Sequence, residues 1–348
     1  MLRAFILCLA VVSSAIQAAD HKPLRALLIA GGCCHDYAKQ QEILSRGIQA
    51  RANVQVDVIW TDDKSVTPPL PIYDKTDWAA GYDIVIHDEC AAGVKDPALL
   101  KRILDVHKTV PAVHLHCAMH SFRTGTDEWF RHLGIQSASH GPQEPIAISY
   151  IDKSHPITQT LLDWTTIKEE LYNNLNLFGA HPLAMGKQSV KQKDGTAKEV
   201  EYIVAWINEK QGARSFSTTI GHNSETVADG RYLDLVTRGL LWACGKLDAD
   251  HLTPFKGQNK VSFVKANPPA PQPAAVAPPI PAKDATLVSA TASSEETGKN
   301  NFAWRAVDND ENTRWCASDG SYPQWLQLEL EKPQALNGIF LSWENNGV

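Results

Sequence analysis

Apolar and polar positions sort the chain into stretches with different periods. Residues 24–30, 83–86 and 110–116 are nearly unbroken apolar runs, as expected of strands buried on both faces of a parallel sheet. Pro111 is acceptable because it falls at the first residues of its run. Residues 54–60 alternate, as a less buried strand does. Between the runs, 37–51 and 97–107 carry helical patterns, with Asp36 as a plausible N-cap and Pro97 in a first turn. This alternation of strand and helix predicts a doubly wound α/β sheet with parallel strands.

The carboxyl ends of such strands share one edge, where open α/β sheets bind ligands. Each apolar run here ends in chemically capable side chains: Cys33-Cys34-His35-Asp36, His87-Asp88-Glu89-Cys90, and His114, His116, Cys117 and His120. His116 is expected at the apex of a sharp strand-to-helix turn, with the other clusters converging on it. Asp36 reads equally as a helix cap and as a site group.

Residues 145–151, 202–206 and 213–220 read as further strands, the last ending in Gly221-His222-Asn223. The polar stretch 186–198 suits a hairpin or loop. Residues 232–246 form an amphipathic helix with Leu233, Val236, Leu240, Leu241 and Cys244 on one face and Gly245 as terminator. From Asn267 the pattern collapses into the Pro/Ala run 268–281, an extended spacer. Alternation resumes near Asp284 and returns in 325–330 and 338–343. The resulting boundaries are 1–19, 20–256 for the α/β domain, 257–283 for the linker, and 284–348 for a β domain.

Composition narrows the function classes. The chain of 348 residues carries a formal net charge of −6 and no long basic run, which argues against a nucleic-acid partner. Residues 1–19 join one positive charge to an apolar run and then small residues, the form of a secretory signal peptide. A periplasmic or secreted location follows. That run is shorter than the ~20 residues of a membrane span, so no transmembrane segment is expected. Beyond it lie Cys33, Cys34, Cys90, Cys117, Cys244 and Cys316, which export would allow to pair, but no Cys-x-x-Cys zinc framework.

Taken in order, several motifs resemble the trehalose-utilisation (ThuA-like) family of the class I glutamine amidotransferase-like superfamily. They are Gly31-Gly32 with His35-Asp36, Leu115-His116, the segment 130–140, His155-Pro156-Ile157-Thr158, Glu169-Glu170-Leu171-Tyr172, Thr219-Ile220-Gly221-His222-Asn223, and Gly239-Leu240-Leu241-Trp242. The resemblance implies a flavodoxin-like three-layer α/β/α sandwich and a tie to sugar metabolism, including keto-disaccharides. It also exposes a departure. The elbow position, cysteine in true amidotransferases, aligns with His116, and Cys117 is one residue off. Thiolate-dependent glutamine hydrolysis is therefore not expected.

The tail, through Ala306-Val307-Asp308-Asn309-Asp310, Thr313 and Trp315, resembles the start of a discoidin-type (factor V/VIII C-type) galactose-binding-like domain. That implies a partial C-terminal β-sandwich (jelly roll), carbohydrate binding, and a structural calcium held by Asp310, Thr313 and backbone carbonyls. An Asx-rich turn without metal is the alternative.

The expected function is an exported carbohydrate-processing protein acting on glycosides or keto-sugars by His/Glu acid–base chemistry. Imidazole titrates nearest neutral pH, so His35, His116 and His222 are the catalytic candidates, with Glu170 as carboxylate partner. Asp36, Glu89, His140, Tyr172 and Asn223 are candidate substrate contacts, Glu89 also being the reserve carboxylate. Trp60 and Trp206 are either sugar platforms or core. A divalent metal among the same three histidines is a second version. The competing class is a non-catalytic carbohydrate-binding protein on a degenerate amidotransferase-like fold.

Overall fold

A computed structural model describes residues 22–192, 194–265, 287–308, 310, 312–319 and 324–332. The signal-peptide stretch 1–19, the Pro/Ala run 268–281 and the strand-like 338–343 lie outside the described residues. The chain divides into two compact units, Met1–Asn267 and Pro268–Val348.

The first unit begins with β1 (Leu24–Gly32), α1 (Tyr37–Gln49), β2 (Val54–Thr61), β3 (Ile84–Cys90), α2 (Pro97–Val106) and β4 (Ala112–Leu115). It continues through α3 (Glu128–Leu133), β5 (Ile135–Gln136), β6 (His140–Tyr150), β7 (Trp164–Tyr172), β8 (Asn176–Leu177), β9 (His181–Lys191) and β10 (Ala197–Asn208). It closes with β11 (Ser215–Thr218), α4 (Ser224–Val227), α5 (Gly230–Ala243) and β12 (Val261–Val264). One large sheet runs in the order β12-β2-β1-β3-β4-β11-β10-β9-β6-β7.

From β12 to β11 every neighbour is parallel, as the strand–helix alternation predicts. From β11 outward the pairs are antiparallel. The change has a sequence basis. The inner end of β6 alternates buried and exposed residues, the pattern of a strand with one face in water. By contrast β3 is buried at all seven positions.

Alternate residues of β1 serve two cores. Ala26 and Leu28 pack with Leu44 and Ile48 of α1 and with Leu233, Val236 and Leu240 of α5. Leu27 and Ile29 pack on the other face with Leu100 and Ile103 of α2 and Trp129 and Leu133 of α3. Each buried Leu or Ile stabilises the layers by roughly 1.5–3 kcal/mol. Gly239 lets α5 lie against β11: a Cβ there would stand 2.3 Å from the Phe216 ring.

One boundary changes. A linker starting at 257 is too early, because Val261–Val264 forms the edge strand beside β2. The short run Val-Ser-Phe-Val alternates enough to pair, and Phe263 packs on Trp60 at 4.9 Å. In the second unit, β13 (Leu287–Ala292) and β14 (Leu326–Leu330) form an antiparallel pair.

Candidate functional site

Three parallel strands deliver the site. At the end of β1, Gly32 has φ +106°, and a Cβ there would meet the Cys90 carbonyl oxygen at 2.2 Å. Glycine thus lets the ends of β1 and β3 approach before the chain turns to His35. β4 ends at Leu115, and His116 opens a 3-10 turn, His116–His120, with φ +39°. A non-glycine residue in the left-handed region at a strand's end is the sharp elbow expected of position 116. Beyond β11, residues 219–221 carry the chain to His222.

These turns bring His35, His116 and His222 together. Ring centroids are 4.7 Å apart for His35–His116 and His35–His222, and 5.4 Å for His116–His222. One ring nitrogen from each lies within 4.8 Å of the others. The remaining nitrogens engage the protein. His116 Nδ1 donates to the Thr219 carbonyl at 2.7 Å, and His35 Nδ1 to the His222 carbonyl at 3.4 Å. His222 Nε2 meets the Gln143 side-chain amide at 2.8 Å.

Glu170 stands against this group. Its Oε2 is 3.2 Å from His222 Nδ1, 3.6 Å from His116 Nε2 and 3.6 Å from His140 Nε2. The His222 contact has ionic reach but not hydrogen-bond alignment, and His222 Nδ1 is buried without a hydrogen-bond partner. The β6–β7 register sets His140 opposite Tyr172 and Gln143 opposite Glu170. The Tyr172 hydroxyl donates to His116 Nε2 at 3.2 Å, and its ring stacks on His120 at 4.1 Å. His116 is nearly sealed, but His222 and His140 are 15% and 41% exposed, so they form the mouth.

Electrostatics separate the groups. Burial, then the neighbouring His116 and His222, hold His35 neutral, pushed down to about 2. Burial also opposes charge on His222, but Glu170 overrides it and raises the imidazole above its usual value. Burial pushes the Glu170 carboxyl up, yet His116 and His222 outweigh it and hold it well below the carboxylate range. A neutral imidazole thus adjoins a second imidazole whose charged form the Glu170 carboxylate favours.

Other expectations change. Asp36 is exposed and caps α1 through the Lys39 amide, the helix-cap half of its two readings. Glu89 is fully buried, accepting from Tyr73 at 2.7 Å and meeting His87 Nδ1 at 2.8 Å, in a cluster of its own. Asn223 donates to the Lys168 carbonyl at 2.6 Å, which fastens the His222 turn to β7. Trp206 is core, its indole donating to the Leu133 carbonyl. Trp60 is half-buried against Phe263. Cys117, beside the elbow, is bonded to Cys90 and is no free nucleophile.

Two positioning residues escaped the sequence reading. Gln143 holds His222 from one side. Glu169 accepts the amides of His222 and Asn223, each at 3.0 Å. The signal was present: adjacent strand residues face opposite ways, so Glu169 and Glu170 could not share one role. In the second unit, the Thr313 hydroxyl donates to Asp308 at 2.7 Å, and the Asp310 carboxylate accepts from Asn312. Asp310 and Thr313 are thereby engaged in an Asx-type turn, with Asp308 a partner that the sequence reading passed over.

A trehalose-utilisation (ThuA) family model matches residues 25–243, and an F5/8 type C domain model matches residues 289–348. A ThuA-like protein of Parabacteroides merdae shares the fold. It is 21% identical, the match covering 67% of this chain and 96% of that one at a TM-score of 0.50. A ThuA-like protein of Bacteroides uniformis matches at 14% identity over 65% of this chain and 94% of that one, TM-score 0.48. A glutamine amidotransferase of Thermotoga maritima matches at 10% identity over 66% and 100%, TM-score 0.33. No curated protein matches the chain significantly. Among the described residues no helix is long and apolar enough to cross a membrane.

Proposed function

The chain belongs to the trehalose-utilisation (ThuA) family, and from that premise we propose that it acts on a glycoside or keto-sugar by acid–base chemistry in the pocket of His35, His116, His222 and Glu170. A ThuA domain joined to a discoidin-like domain supports a sugar-related function. The observation that carries the chemistry is one carboxylate, Glu170, within 3.2–3.6 Å of three imidazoles. In this reading His222, whose protonated form Glu170 favours, donates a proton to a leaving or carbonyl oxygen. His116 acts as base through Nε2, where the incoming proton displaces the Tyr172 hydroxyl's hydrogen bond, its other nitrogen being tied to Thr219. No thiolate takes part. Export, from residues 1–19, and sugar capture by the C-terminal unit complete the proposal.

A second reading rests on one further observation: one nitrogen of each of the three histidines lies within 4.8 Å of the others, and protein contacts hold each ring, His116 through both nitrogens. Such outer contacts orient metal-ligating imidazoles. His35, His116 and His222 would hold a divalent ion, which polarises a sugar oxygen when bound.

The test is turnover of a panel of glycosides and 3-keto-glycosides, before and after chelation. Activity surviving chelation supports the acid–base reading. Activity lost and restored by zinc or manganese supports the second. No turnover of any panel member, with sugar binding intact, makes the chain a carbohydrate-binding protein.

A further inference from the structure

The sugar chemistry leaves four cysteines unused, and they meet at the same sheet edge. Cys33 is bonded to Cys34, and Cys90 to Cys117. The two pairs are in contact: Cys33 Sγ lies 3.4 Å from Cys90 Sγ. The contact follows from the β1–β3 register, which pairs Gly32 with Cys90. Ala30, Tyr37 and Trp60 pack around the sulfurs. Exposure falls along the series. Cys34 is exposed and Cys33 half-buried, while Cys90 and Cys117 are 2% and 6% exposed. The Lys64 ammonium donates to the His35 carbonyl at 2.7 Å, one residue from Cys34. A cation there favours a thiolate.

We propose that these residues form a thiol–disulfide exchange site, in which the exposed vicinal pair accepts two electrons from an external dithiol and passes them to the buried pair. The dithiol's thiolate attacks Cys34 Sγ, and the Cys33–Cys34 bond breaks, releasing the Cys33 thiolate. The reagent's second thiol closes on its first sulfur and frees the Cys34 thiolate. Cys33 then attacks Cys90 Sγ: the Cys33–Cys90 bond forms, and Cys117 leaves as a thiolate and takes a proton. Cys34 attacks Cys33 Sγ, the vicinal bond re-forms, and Cys90 leaves and is protonated. Net, the dithiol loses two electrons and two protons, and Cys90 and Cys117 gain them. The buried pair ties the end of β3 to the turn that carries His116, so the exchange unties that elbow.

The test uses the full chain, dithiothreitol, acid quenching, alkylation and peptide mass spectrometry. In the parent under limiting reagent, label should appear first on Cys33 and Cys34 and later on Cys90 and Cys117. Cys34→Ser should trap a Cys33–Cys90 cross-link with Cys117 alkylated. In Cys33→Ser/Cys34→Ser, reduction of the buried pair should slow by about tenfold or more. Circular dichroism checks that the variants fold, and the parent time course needs no variant. Label reaching Cys90 and Cys117 first, label confined to the vicinal pair even in excess reagent, no Cys33–Cys90 species in folded Cys34→Ser, or an unchanged rate in the folded double variant overturns the proposal.

Discussion

His114 and His116 stand two residues apart at the end of β4 and belong to different clusters. His114 lies within the sheet, its Nδ1 on Ser217 at 3.0 Å and its Nε2 on His132 at 3.1 Å. Beside it His87 contacts His107 through Nε2 at 2.9 Å and Glu89 through Nδ1 at 2.8 Å. Burial pushes His107 and His114 well below the usual imidazole range and His132 down to about 3. The His116 cluster uses the same ingredients, imidazoles and one carboxylate, but opens to water at His140 and His222. His87, His107 and His114 spend both ring nitrogens on the protein, whereas His222 Nδ1 has no hydrogen-bond partner. Residue type alone does not make a site. A buried nitrogen left unspent beside a charge, on a ring that itself reaches the surface, is what distinguishes the second cluster.

The two carboxylates give the largest contrast. Glu170→Ala should lower turnover by roughly 10²–10⁴-fold, the range for losing an acid–base partner, with little change in unfolding midpoint. Steady-state kinetics and urea unfolding check both halves. Glu89→Ala should do the reverse. It strands His87 and Tyr73 in the core and should destabilise by about 3–5 kcal/mol, with turnover per folded molecule retained. Equal effects of the two substitutions would erase the distinction.

A subtler contrast lies in pH. Glu170 raises His222, so the pair's stabilisation from the histidine side is full below the ordinary imidazole value of 6.5 and fades as pH rises through the raised one. From the carboxylate side it is present above the ordinary value of 4.5 and fades as pH falls through the lowered one. In metal-free Glu170→Gln, burial acts on His222 against the smaller pull of Glu169 alone. The alkaline limb of kcat/KM should then move to lower pH, and histidine NMR titration should show the same displacement. An unmoved limb assigns it to another group.

The smallest effect belongs to Asp36, which the structure makes a helix cap. Asp36→Ala should cost about 1 kcal/mol in thermal or urea unfolding and leave turnover unchanged.

Much of this was legible in the chain. The apolar runs of β1, β3 and β4 announced a parallel sheet, and the turns after them announced an edge where His35 and His116 meet. His222, closing the β11 run, joined them as expected. Which histidines face the pocket was not legible. Strand period alone would keep positions 114 and 116 on one face, and only the positive φ at His116 parts them. Glu89 stood as the reserve carboxylate, because nothing near it in sequence shows that Tyr73 covers it. Gln143 and His140 enter through the β6–β7 register, a long-range pairing that local patterns do not encode. The contact between the two cysteine pairs likewise depends on β1 and β3 closing together at Gly32.

The separation of the two histidine clusters is tested most directly by comparing His116→Ala with His114→Ala on one keto-glycoside, with turnover normalised to folded protein. Turnover should collapse in the first variant and persist in the second, whose loss should appear in stability instead. Comparable turnover in the two, whether both active or both dead, would contradict the account.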